Sequence, residues 1–105
     1  MTTPIQNNPP AAAQALLSIA AGDTSGSRAA AGVLLSLWDE SYGAGLIDAM
    51  RTLDDRLTRA ALGLMLHTAA GGRLYELLTD AQMAPVIDAW GDYWELERAE
   101  RERES

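Results

Sequence analysis

From residue 9 onward the apolar positions of this chain fall at the three- and four-residue spacing of helix faces. Asn8-Pro9-Pro10 offers an N-cap followed by proline in the first turn, where the missing N–H costs nothing. Ala12, Ala13, Leu16, Ile19 and Ala20 then form the stripe of a first helix, which Gly22 is placed to close in the left-handed conformation. The cluster Gly22-Asp23-Thr24-Ser25-Gly26-Ser27 supplies loop residues and hydroxyl caps. A second helix follows from about Ser25 or Ser27 to Ser41, with Ala30, Leu34, Leu37 and Trp38 inward and Asp39, Glu40 and Tyr42-Gly43-Ala44-Gly45 marking its exit.

Leu46 to Met50 reads as a short turn of helix, and Thr52-Leu53-Asp54-Asp55 as a capping box for a third main helix. That helix carries Leu53, Leu57, Ala60, Ala61, Leu64 and Thr68 on one face, while Leu62, Met65 and Leu66 extend the apolar surface nearly all round its C-terminal half. A helix apolar on all sides is expected to be buried on all sides, which predicts this one at the centre of the fold. Gly71-Gly72 ends it, and a short helix with Leu74, Leu77 and Leu78 follows. After the junction from Thr79-Asp80 to Pro85, proline fits the first turn of a last helix with Ile87, Trp90 and Trp94 on one side and Val86 and Tyr93 beside them. From Glu95 the chain turns into a run of Glu and Arg, with Glu97 facing Arg101 and Arg98 facing Glu102 at the i, i+4 spacing.

The pattern predicts an all-α fold, a compact bundle of four to five helices with a central apolar helix near residues 53–70. Residues 1–8 are expected to be a disordered N-terminus, 9–96 the bundle domain and 97–105 a charged helical or frayed C-terminal tail. No internal repeat and no sustained heptad is present.

Composition sharpens this reading. Nineteen alanines and few β-branched residues favour helices and offer strands little. Absence of cysteine excludes disulfides and thiolate metal sites. No apolar stretch reaches the roughly 20 residues of a membrane span and the N-terminus lacks signal-peptide features, so a cytoplasmic location is expected. A net charge of −7 repels phosphate backbones and disfavours direct nucleic-acid binding, while suiting a basic surface on another macromolecule.

Little in the chain carries chemistry. His67, the only histidine, sits in an apolar helix and cannot form a two-histidine metal site. The Gly22 to Ser27 loop resembles an anion cradle, but it lacks a phosphate-loop lysine and helix capping accounts for it. No serine elbow, defined carboxylate dyad or His-Glu-x-x-His stretch occurs, so no catalytic residue, cofactor or metal ligand is expected. Two surface features remain. Asp88, Asp92 and Glu95 recur at i, i+4 and i+7 along the last helix, a row that would mimic nucleic-acid phosphates, hold a divalent cation or be a solvated face. Trp90, Tyr93 and Trp94 cluster three aromatics over an arc too wide for one contact, which leaves core packing, a partner surface and a homodimer all open.

The stretch from Ala15 through Gly22-Asp23-Thr24-Ser25-Gly26-Ser27-Arg28 and on to Leu34-Leu35-Ser36-Leu37-Trp38-Asp39 resembles an uncharacterised family of small bacterial proteins. Its members share a leucine-rich first helix, a Gly-Asp-Thr-Gly loop leading into Ser-Arg and a Leu-Leu-x-Trp-Trp-Asn helix, and occur largely on integrative elements and prophages. The likeness runs on through Gly43 to Leu53-Asp54, about half the chain. Here Ser25 is an insertion, Leu37 stands for the first tryptophan and Asp39 for asparagine. The resemblance implies a mobile element or phage setting and carries no functional residue across. The expectation is therefore a non-enzymatic protein-binding protein, such as an anti-CRISPR-like inhibitor of a host defence complex acting through the acidic helix, with a self-associating accessory subunit as the alternative.

Overall fold

Residues 3–39 and 51–104 are described by a computed structural model of the chain, apart from the side chains of Glu97, Arg101 and Glu104. The expected helix exit from Glu40 to Gly45 and the turn from Leu46 to Met50 lie outside the described residues, and so does the Glu97–Arg101 pair.

Capping decides where each helix begins. α1 spans Pro9–Ala20, and the Asn8 side chain accepts from the Ala11 N–H at 3.4 Å. It ends without a left-handed residue, because Ala21 stays right-handed and the Gly22 N–H donates to the Ile19 carbonyl at 3.1 Å. The closure expected at Gly22 therefore does not occur, and the absent side chain serves another purpose. A Cβ at Gly22 would lie 2.7 Å from Ser27 Oγ, so glycine lets the loop close over that buried hydroxyl.

α2 spans Ser25–Trp38, with Thr24 Oγ1 accepting from the Ser27 N–H at 3.1 Å and lying 3.0 Å from Ser27 Oγ. Asp39 is already extended, so the helix stops short of Ser41. α3 spans Asp55–Ala69 and is capped by Asp54, whose carboxylate accepts from the Leu57 N–H at 2.8 Å, rather than by the expected box on Thr52. Gly71, at φ 102°, ends α3 as expected. The Gly72 N–H reaches the His67 carbonyl and the Gly71 N–H the Thr68 carbonyl, each at 3.0 Å, which is the paired bonding of a Schellman close.

A 3₁₀ turn at Leu74–Glu76 leads into α4, Asp80–Glu104. A reciprocal capping box starts this helix: the Thr79 N–H donates to Gln82 Oε1 at 2.9 Å and the Gln82 N–H to Thr79 Oγ1 at 3.1 Å. Helix thus begins five residues before Pro85, which lies in the second turn and not the first. Pro85 and Ala81 are both exposed, so the carbonyl that proline leaves without its helical donor faces water.

The described residues contain four α-helices and no strand, in agreement with an all-α bundle. Its most enclosed member is α2, which packs against α1, α3, α4 and the Leu74–Glu76 turn, with every residue from Ala29 to Leu35 buried. Alanines and a glycine along that run let neighbouring backbones come close from several directions. α3 is an inner helix on one side only. Leu57, Ala60, Ala61 and Leu64 are buried, while Leu62 is 44% and Leu66 68% exposed. The expectation that its C-terminal half is enclosed all round is corrected here. Large side chains signal apolar area, whereas α2 is enclosed because Ala29, Ala30, Ala31 and Gly32 admit neighbours beside buried Val33, Leu34 and Leu35.

Residues 5–7 also depart from the expected disorder. Ile5–Asn7 form a 3₁₀ turn that packs on α3, with Ile5 half-buried against the core. The turn crosses at Gly63, where a Cβ would lie 2.6 Å from the Gln6 carbonyl oxygen. At the other end the helix runs on to Glu104, carrying an Arg98–Glu102 ion pair at 3.1 Å. Its 25 residues make it about 37 Å long, more than either short dimension of the molecule, 29 and 27 Å. Among the described residues nothing beyond Trp94 is buried, so the last turns overhang the bundle.

Candidate functional site

The inward stripe of α4 is Met83, Val86 and Trp94, all buried, with Ile87 and Trp90 half-buried between them. Trp94 fixes the helix to α2. Its indole N–H donates to the Arg28 carbonyl at 3.1 Å, and its ring lies against Gly32, where a Cβ would be 2.8 Å from the ring carbons. Of the three clustered aromatics, Trp94 thus belongs to the core. Trp90 lies at the margin, and its indole N–H is buried without a hydrogen-bond partner among the described residues. Tyr93 is the one that faces outward, 38% exposed. Its ring stands edge-on to both neighbours, at 6.2 Å from Trp90 and 5.0 Å from Trp94, with the Arg28 guanidinium 5.8 Å above its face.

Asp88, Asp92 and Glu95 are exposed along the side of α4 turned away from the bundle, and no ion pair among the described residues engages them. Beside them runs a second row at i, i+4 and i+7, Ala89, Tyr93 and Leu96, with Leu96 58% exposed. Leu96 was not expected in any site, because the charged run around it hides a single leucine. Its spacing from Tyr93 is the signal that could have found it.

Other candidates do not build a site. Among the described residues no three of His, Asp and Glu assemble to hold a metal ion. The His67 ring lies over Gly72, and its Nε2 is buried without a hydrogen-bond partner among the described residues. The Gly22 to Ser27 loop spends the Thr24 and Ser27 hydroxyls on its own cap. A shallow groove of about 490 Å³ between α1 and the start of α3 is lined by Ala11, Ala15, Ile19 and Leu57 with Gln14, Ser18, Asp54 and Arg56. Its Asp54 is the cap of α3, which gives that carboxylate a structural task. Among the described residues no helix is long and apolar enough to cross a membrane.

Residues 10–91 match the family of unknown function DUF7673. The chain belongs to that family. The match takes in α1 from Pro10, α2, α3 and the first half of α4, with Asp88 and Trp90, and stops before Asp92, Tyr93, Trp94 and Glu95. No curated protein and no solved structure matches the chain.

Proposed function

We propose that this member of DUF7673 is a non-enzymatic protein-binding protein whose contact surface is the outward side of α4. The observation that carries the reading is the exposed row Asp88, Asp92 and Glu95, which no cation among the described residues neutralises. On a chain of net charge −7, such a row favours a partner with a basic surface, for which nucleic-acid-binding proteins are the natural class. A host defence complex that grips nucleic acid is one such target, and the resemblance to proteins of mobile elements supports an inhibitor of that kind.

The test is affinity capture from host lysate with the wild type and with the isosteric triple variant Asp88→Asn, Asp92→Asn, Glu95→Gln. Rim charges act mainly on association rate and salt dependence, so the variant should retain its captured partner on the order of tenfold less well at low salt. Equal capture by the two proteins at every salt concentration sinks the proposal.

A second reading, self-association through the same helix, is favoured by exposed Tyr93 and Leu96. Sedimentation of the wild type separates the two, because a monomer at all concentrations removes this one.

A further inference from the structure

Resting on that reading, we infer that α4 presents a prebuilt docking strip for a basic amphipathic helix of another protein, with Tyr93 and Leu96 as its apolar anchors and the acidic row as its charged edge. Ala89, Tyr93 and Leu96 share the outward side of one helix over about 10 Å. Asp92 lies three residues after Ala89 and four before Leu96, so the carboxylates of Asp88, Asp92 and Glu95 run directly alongside the apolar row.

Three features choose the occupant. The anchors repeat at the helical period, which is met by a partner helix with apolar residues at i, i+3 or i+4, and i+7. No sheet edge exists among the described residues to recruit an extended segment. Charge disfavours a second copy, because face-to-face pairing would set three carboxylates of one chain beside three of the other, each chain carrying −7. The same charge turns away nucleic-acid phosphates.

Tyr93 is well suited to anchor. Trp90 and Trp94 hold its ring edge-on from two sides and Arg28 stacks on its face, so little side-chain freedom is left to lose on binding. Arg28 also marks the edge opposite the carboxylates. The partner's cations therefore belong along one flank only, which fixes how it lies on the strip.

The probe is a labelled synthetic helix of about five turns with leucines at the anchor spacing and arginines along one flank, paired with a control in which the leucines are glutamines. Binding is read by fluorescence anisotropy at about 0.05 M and about 0.5 M salt. The leucine helix should bind wild type at least roughly tenfold tighter than the control, and Leu96→Gln should lose about that factor with its thermal melt unchanged. If both peptides bind equally and Leu96→Gln behaves as wild type, the surface is charge-only, and the strip falls while the basic-partner reading stands. If neither peptide binds at low salt, both fall. A wild-type dimer that Leu96→Gln dissociates puts a second copy on the strip and overturns the inference.

Discussion

The joint between α2 and α4 can be tested by adding one methyl group. In Gly32→Ala the new Cβ would sit 2.8 Å from Cε2 and Cζ2 of Trp94 and 3.2 Å from its Nε1. Carbon atoms in contact prefer about 3.5–4.0 Å, so the indole must retreat by about 1 Å. It has little room to do so, since it is buried, bonded to the Arg28 carbonyl at 3.1 Å and backed by Tyr93. Overpacking of this kind costs about 1–3 kcal/mol, and losing the indole hydrogen bond adds about 1 kcal/mol. Against this stands about 1 kcal/mol gained by replacing glycine with alanine inside a helix. The net loss is about 1–3 kcal/mol, which lowers Tm by about 5–15 °C in a domain of this size. Circular dichroism melts, with tryptophan fluorescence reporting the ring, measure both parts. Gly26→Ala is the control on the same helix, because its Cβ would meet Thr24 Oγ1 at 3.6 Å and Ile19 Cγ2 at 4.0 Å, ordinary contacts. It should melt at or slightly above wild type. If Gly32→Ala does the same, the close approach of Trp94 to α2 is not what ties these helices together.

The crossing at Gly63 makes a conditional prediction. Gly63→Ala should destabilise the intact chain by about 1–2 kcal/mol, because its Cβ would lie 2.6–2.8 Å from the Gln6 carbonyl oxygen and Cα. In a chain starting at Asn8 the same substitution should be neutral or stabilising, and equal effects in the two backgrounds, read by urea unfolding, would refute the contact. Thr79→Ala removes half of the capping box of α4 and should cost about 1 kcal/mol in the same assay; no change would mean that the box contributes nothing to the start of the helix.

Local chemistry was the legible part of this fold. Asn8 and Gly71 act where a reader of the sequence would put them, since a cap depends on residues within one turn. Pro85 misled because proline is commonest in the first turn, while Thr79 and Gln82, with a local signature of their own, start the helix earlier. Spacing assigns Gly22 a backbone role, yet its missing side chain leaves space for Ser27, a fact of packing that spacing does not carry. The larger difference concerned enclosure. Leu62 and Leu66 look like core by hydropathy, but one inward side suffices for α3, and the small residues of α2 take the interior. On α4 the periodicity found the acidic row and the aromatic cluster. Only contacts with Gly32 and Arg28 separate Trp94, committed to the core, from Tyr93, turned to the outside.

The turn that crosses Gly63 also sets an order of assembly. Gln6 and its neighbours are synthesised before α3, yet the surface they rest on is not complete until α3 has been made and folded against α1. If this strap docks after the rate-limiting step, it slows unfolding without speeding folding, as a latch on a finished bundle does.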